Sequence, residues 1–133
     1  MANLEELNQR SALGLLVHEQ WLFGECRGQA AALHLQFDDD QWVSLTPDTV
    51  EACWVLLESD DRRAHEAATD SDIRHRVRDI GKDYNLNGQR ITNAYQKKLG
   101  NKIELCIEFA NATDLTLHYN LVTHESSIYF IKG

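Results

Sequence analysis

The sequence contains a single proline and seven glycines, and none of its apolar runs approaches the roughly 20 residues of a membrane-spanning helix. Disordered chains are normally poor in apolar residues, whereas 43% of this chain is hydrophobic. A chain of 133 residues can bury a core without support from a metal or a disulfide. We therefore expect one globular domain over residues 1–133, with no membrane partner.

Positive charge is also scarce. The chain has 13 lysines and arginines against 21 aspartates and glutamates, which gives a formal net charge of −8. Such a charge disfavours binding to a phosphate backbone, so nucleic acid is excluded as the main partner. The same charge suits solubility and docking onto a basic protein surface.

The three cysteines, Cys26, Cys53 and Cys106, are odd in number and far apart. This pattern predicts buried free thiols in a reducing compartment. The first residues show neither the basic start nor the apolar stretch of a secretion signal. Together these observations predict a cytoplasmic protein.

A local pattern occurs twice along the chain: a glycine, an alternating strand that ends in phenylalanine, a polar break and a second apolar strand. In both copies a leucine of the second strand follows the phenylalanine by eight positions, Leu45 after Phe37 and Leu117 after Phe109. The alternation also places Leu33 and Leu35 on the same face as Phe37. The pattern predicts two antiparallel β-meanders, in the halves 13–58 and 84–133, joined by a charged and helical segment 59–83. Any sheet protein reuses such a pattern, so a true duplication stays open.

Two helices are expected beside the meanders. A short N-terminal helix is predicted over residues 3–10, and a central helix is predicted to start at 70–72 and to end at Gly81. In the central segment Ile73, Val77 and Ile80 have helical spacing. The predicted fold class is therefore α+β, with mainly antiparallel β-meanders, a short N-terminal helix and a central helix.

Recognisable catalytic motifs are absent from the sequence. It has no glycine-rich phosphate loop, no Gly-x-Ser-x-Gly elbow and no His-Glu-x-x-His helix. His65 and His75 lie near carboxylates but match no compact metal-ligand spacing, and the acidic runs lack the alternating ligands of a calcium loop. We predict no catalytic residue, no metal and no cofactor, and hence no enzyme. An acid–base pair that uses His34, His118 or His124 stays open as an alternative.

Two acidic clusters stand out, and the first of them is followed closely by a tryptophan. An anionic patch accelerates docking of a cationic partner, and tryptophan is enriched among the residues that dominate binding energy. The predicted partner-binding residues are Asp38, Asp39, Asp40, Trp42, Glu58, Asp60 and Asp61. A solvated hairpin tip and a tryptophan buried in the core are the competing interpretations.

In size, charge and expected fold type the chain resembles the small, acidic, cytoplasmic immunity proteins that bacteria pair with secreted toxins. The resemblance implies a non-enzymatic inhibitor that covers the active site of a basic toxin, such as a nuclease. Acidic side chains would then occupy the place of the phosphate backbone. Two other hypotheses stay open: a ligand-binding or enzymatic domain that uses the histidines, and a structural module that forms homo-oligomers.

Overall fold

A computed structural model describes residues 4–60, 64 and 73–132 of the chain, and strands account for 67% of it. The nine strands are β1 (Ser11–Leu22), β2 (Glu25–Phe37), β3 (Trp42–Asp48), β4 (Cys53–Ser59), β5 (Ile73–Asp79), β6 (Gln89–Leu99), β7 (Lys102–Phe109), β8 (Thr113–Asn120) and β9 (Ser126–Lys132). Two helices of four residues each have their bounds within the described residues, a 3-10 helix at Leu4–Leu7 and an α-helix at Ile80–Asp83.

Six of the strands close into a β-barrel in the order β1, β2, β9, β8, β7 and β6. The other three strands extend from it: β3 and β4 continue the sheet from β2, and β5 continues it from β1. The long strand β1 belongs to the barrel and also pairs with β5, which lies outside it. Its first residues, Ser11 and Ala12, pair with β6, and its stretch from Leu16 to Leu22 pairs with β5.

The predicted α+β class is wrong, because the chain is mainly β with almost no helix. The expected N-terminal helix is a single 3-10 turn, and strand β5 replaces the expected central helix. Strand β1 offers a seven-residue edge to β5, from Leu22 opposite Ile73 to Leu16 opposite Asp79. Pairing with this distant strand overrides a local helical spacing, which is a weak signal in so short a segment. The predicted helix start at 70–72 lies outside the described residues.

The α-helix begins directly after β5, and Asp79 caps it by accepting a hydrogen bond from the backbone nitrogen of Lys82 at 3.0 Å. Gly81 therefore lies inside this helix and is not the C-terminal cap that the sequence predicted. A glycine is needed there because an added Cβ would approach the Asn87 side chain and the backbone nitrogen of Leu15. The close approach packs the helix directly onto β1.

The meanders β2–β3–β4 and β7–β8–β9 share one register. Leu45 faces Leu56 between β3 and β4, and seventy-two positions later Leu117 faces Ile128 between β8 and β9. The pairing of β2 with β3 recurs between β7 and β8 with the same displacement. Each position in the first meander therefore has a structural equivalent in the second meander.

One apolar cluster, built from both meanders, fills the interior. Leu33, Leu35 and Phe37 are fully buried in it, which confirms the face that their alternation predicted. Phe109, the equivalent of Phe37, is 3% exposed. Burying a side chain of this size contributes about 1.5–3 kcal/mol, so each of these positions stabilises the fold substantially.

The last strand of each meander is hydrogen-bonded to a glutamine side chain in the other half of the chain. On β6, the Gln96 Oε1 atom accepts a hydrogen bond from the Trp54 backbone nitrogen at 2.8 Å, and its Nε2 atom donates to the Trp54 carbonyl at 3.1 Å. On β2, Gln29 Oε1 accepts from the backbone nitrogen of Ile128 at 3.1 Å. A side-chain amide offers the same donor and acceptor as a peptide group, so it satisfies backbone groups where the strands diverge.

Candidate protein-binding surface

The first acidic cluster forms the turn between β2 and β3. The Phe37 backbone nitrogen donates to the Gln41 carbonyl at 2.9 Å, and the Asp40 nitrogen donates to the Phe37 carbonyl at 3.0 Å. Asp40 has a φ of 64°. This is a three-residue hairpin loop whose last residue is left-handed, a conformation that aspartate tolerates better than most residues.

The three aspartates of this turn make different contacts. Asp39 accepts hydrogen bonds from Arg10 Nη2 and from the Gln41 backbone nitrogen, both at 3.0 Å. Asp40 Oδ1 accepts from Gln36 Nε2 at 3.4 Å. Asp38 is exposed, and among the described residues it has no hydrogen-bond or ion-pair partner. Asp39 thus holds the turn together, whereas Asp38 presents its charge to solvent.

Strand β4 brings the second cluster to the same end of the sheet. Ser59 lies opposite Trp42 and Glu58 lies opposite Val43 in the pairing of β3 with β4. Glu58 and Asp60 are exposed there. The five carboxylates at this end, which we call the acidic end, belong to Asp38, Asp39, Asp40, Glu58 and Asp60. Asp61, the remaining predicted residue, lies outside the described residues.

A groove of about 320 Å³ opens at the acidic end. Its lining residues are Gln36, Asp40, Gln41, Trp42, Ser59 and Asp60. Trp42 is only 6% exposed and packs with Leu16, Ala64 and Val77 in a second apolar cluster. The indole therefore supports one wall of the groove and does not project from the surface.

The second meander contains the same turn without its carboxylates. Ala110, Asn111 and Ala112 stand where the first meander has its three aspartates, and Ala112 has a φ of 65°. The Ala112 nitrogen donates to the Phe109 carbonyl at 3.0 Å, and Asn111 Oδ1 accepts from the Thr113 nitrogen at 3.1 Å. The second turn folds without any acidic residue. The backbone geometry that the two turns share therefore does not require the three charges of the first turn.

The histidines considered as alternatives lie in three separate networks. His34 is buried, and its Nδ1 lies 2.6 Å from Ser44 Oγ. His118 Nε2 lies 3.1 Å from Glu104 Oε2, and His124 Nδ1 lies 2.7 Å from the hydroxyl of Tyr119. Among residues 4–60, 64 and 73–132, no three His, Cys, Asp or Glu side chains are grouped so that they could hold a metal ion.

A hydrogen-bonded row on the outer face of β6, β7 and β8 was not expected from the sequence. Cys106 Sγ donates to Glu104 Oε1 at 3.1 Å, and the other oxygen of Glu104 pairs with His118. Burial, together with the hydrogen bond to Glu104, raises the pKa of the Cys106 thiol. The hydrogen bond to Cys106 raises the pKa of Tyr95 to about 12. A thiol with a raised pKa is a poor nucleophile, so this row does not resemble a cysteine catalytic site.

All three cysteines are free thiols, and Cys106 is buried while Cys53 is half-buried. The expectation of burial is wrong for Cys26, which is exposed. Cys26 lies near the tip of the β1–β2 hairpin, where residues 23–27 are all exposed. At this position no neighbouring residue of the described chain covers the thiol, and the number and spacing of the cysteines carry no information on that.

No protein-family model, no curated protein and no solved structure matches this chain. Within the described part of the chain, no helix combines the length and the apolar character that a membrane-spanning segment needs.

Proposed function

We propose that this chain is a non-enzymatic protein-binding domain that docks a basic partner protein through its acidic end. The mode of action would be that of an immunity protein, which neutralises a basic toxin such as a nuclease by covering its surface. One observation carries the proposal: the turn at Phe109–Thr113 shares two hydrogen bonds with the acidic turn but has none of its carboxylates. Charges that the turn does not need for folding are available for recognition.

The clustering of the charges supports the proposal as well. Two separate sequence clusters meet at one end of the sheet because β3 pairs with β4. Exposed charges are screened beyond about 8 Å at physiological ionic strength, so an approaching protein responds to this local cluster more than to the net charge. Like charges held together raise the association rate with a partner of opposite charge and disfavour acidic competitors.

A charge-relocated variant tests the proposal. It exchanges the two turns and so preserves the composition and the net charge of −8. Its substitutions are Asp38→Ala, Asp39→Asn, Asp40→Ala, Ala110→Asp, Asn111→Asp and Ala112→Asp. The partner to be tested is the protein encoded next to this chain, purified separately, with association followed by biolayer interferometry.

We expect the relocated variant to associate at least about tenfold more slowly than the natural chain, and its rate to depend less on salt. Circular dichroism and the thermal midpoint serve as controls, because both turns keep their backbone geometry. Equal association rates for the two proteins would contradict the proposal, since only the position of three charges differs between them. Absence of any complex with the natural chain would contradict the immunity-type mode of action.

A further inference from the structure

Strand β9 has an open edge over most of its length. On one side it pairs with β8 along all of its residues. On the other side it meets β2 only where Gly28 pairs with Ser126. Gln29 extends this contact by one step, because its Oε1 atom accepts a hydrogen bond from the Ile128 nitrogen at 3.1 Å. From Tyr129 onward, no described residue pairs with this second edge.

The backbone groups at the open edge belong to alternate residues. The Ile128 nitrogen points to the β2 side of the strand, since its hydrogen bond is made there. Backbone N–H and C=O groups alternate between the two edges of a strand, so those of Phe130 and Lys132 also point to the open edge. Tyr129 and Ile131 direct theirs to β8. Phe130 and Lys132 can therefore bond to a further strand.

The outer face of the same stretch is apolar. Tyr129 is 52% exposed and Ile131 is 62% exposed. The alternate residues Ile128 and Phe130 pack against the apolar cluster in the interior. Exposed apolar side chains beside an open strand edge favour pairing with another chain, and natural sheets normally avoid the combination.

Another open edge of the sheet is protected by charge. Strand β5 pairs only with β1 among the residues that the structure describes, and it carries Arg74, Arg76 and Arg78. Charged side chains on an edge strand oppose pairing with another chain. Strand β9 has no proline and no bulge, and its only charged residue is Lys132 at its end. Its edge therefore lacks the usual protection.

We propose that β9 pairs with β9 of a second copy of this chain, antiparallel and around a two-fold axis at Phe130. The Phe130 residues of the two copies exchange both of their edge hydrogen bonds. Each Lys132 nitrogen donates to the Ile128 carbonyl of the other copy. The same strand supplies both sides of this contact, as in the symmetric interfaces of most dimers.

The side chains of β9 are complementary to themselves in this register. Tyr129 of each copy lies opposite Ile131 of the other, and such aromatic and β-branched cross-strand pairs stabilise a sheet. Lys132 lies opposite Ile128, so the register opposes no like charges. This self-complementarity favours a second copy over an unrelated strand. The inference goes beyond the proposed function and does not depend on the acidic end.

Sedimentation velocity and hydrogen exchange test the pairing. Over a range from about 10 μM to about 1 mM protein, we expect a reversible equilibrium between monomer and dimer. At the highest concentration the amides of Phe130 and Lys132 should exchange several-fold more slowly than in the monomer. The amides of Tyr129 and Ile131 should change less, because they already bond to β8.

Three variants locate the contact. Ile131→Lys removes the apolar pair and adds a charge beside the edge, so it should weaken self-association at least about tenfold. Val50→Lys is the matched control, because Val50 is 89% exposed in the turn between β3 and β4. It makes the same change of charge and should leave the dimer affinity within about twofold. Ile131→Val keeps a β-branched side chain and should retain the dimer. Circular dichroism checks that each variant is folded.

Three outcomes would overturn the inference. One is a chain that stays monomeric at every concentration, and another is equal weakening by Ile131→Lys and Val50→Lys. The third is a dimer in which Phe130 and Lys132 gain no protection, because its contact would lie elsewhere. If the chain stays monomeric and the protein encoded next to it protects these two amides, the edge receives a strand of that partner and the second copy is ruled out.

Discussion

Arg10 and Asp39 form an ion pair, with 3.0 Å between Nη2 and Oδ2, that links the segment before β1 to the turn between β2 and β3. The guanidinium of this pair also lies over the ring of Phe37, which is fully buried in the core. Asp39 is therefore partly a structural residue, in contrast to its neighbour Asp38. The acidic turn thus combines one aspartate that stabilises the fold with others whose charges the fold does not need.

The first prediction is that Asp39 contributes to the free energy of unfolding and that Asp38 does not. Asp39→Ala removes the ion pair and the acceptor of the Gln41 amide, and should lower the free energy of unfolding by about 1–2 kcal/mol. Asp39→Asn keeps the acceptor, as Asn111 does in the second meander, and should cost only about 0.5 kcal/mol because the pair is largely exposed. Asp38→Asn should cause no measurable change. Urea denaturation checks all three variants, and equal losses at both positions would contradict the assignment.

The second prediction concerns the tip of the β1–β2 hairpin. Phe23 has a φ of 50° and is 82% exposed, and it is followed by Gly24 with a φ of 82°. Two-residue turns of this kind favour Asn-Gly, because a bulky residue is strained in the left-handed region. Phe23→Asn should therefore raise the free energy of unfolding by about 1 kcal/mol. Thermal melts compare it with Phe23→Ala, which keeps the strain; a loss of stability in Phe23→Asn would show that the ring makes an unrecognised contact.

The third prediction tests the glutamine that links β4 to β6. Gln96→Ala leaves the Trp54 N–H and carbonyl without their partners and should cost about 1–3 kcal/mol. Hydrogen exchange of the Trp54 amide should accelerate in this variant, which a general loss of packing would not single out. Lys98→Ala, two residues further along β6 and exposed, is the matched control. Unchanged exchange at Trp54 would refute the linking role of Gln96.

The fourth prediction concerns thiol reactivity and its dependence on pH. Burial raises the pKa of Cys106 above the ordinary thiol value of 9.0, so its thiol stays protonated at neutral pH and the reactive thiolate is scarce. The pKa of Cys26 is also raised, by partial desolvation and by Glu19, but the residue remains exposed to reagents. Iodoacetamide should therefore alkylate Cys26 first, and the rate at Cys106 should still be rising with pH at 9.0, because its pKa lies above that value. Mass spectrometry of the peptides measures both rates; comparable rates at neutral pH would disprove the prediction.

Part of the candidate surface could be predicted from the sequence. The run from Gln36 to Trp42 places three aspartates beside a tryptophan, and the alternation of β2 predicts which neighbours face the core. The position of Glu58 and Asp60 beside that turn could not be predicted from the sequence, because it depends on the pairing of β3 with β4. The Arg10 contact was also missed, since its partner lies 29 positions away and no local pattern connects them.

The periodicity of the sequence by itself determined that Leu33, Leu35 and Phe37 share a buried face, because successive side chains of a strand point to opposite sides. Only the tertiary structure decided that Ile73–Asp79 is a strand and that six strands close into a barrel. A segment with mixed local preference takes the conformation of the partner it pairs with, and that partner, β1, lies more than fifty residues earlier in the chain. The hydrogen bonds of Gln96 and Gln29 likewise join backbone groups that are distant in the chain, which no local periodicity encodes.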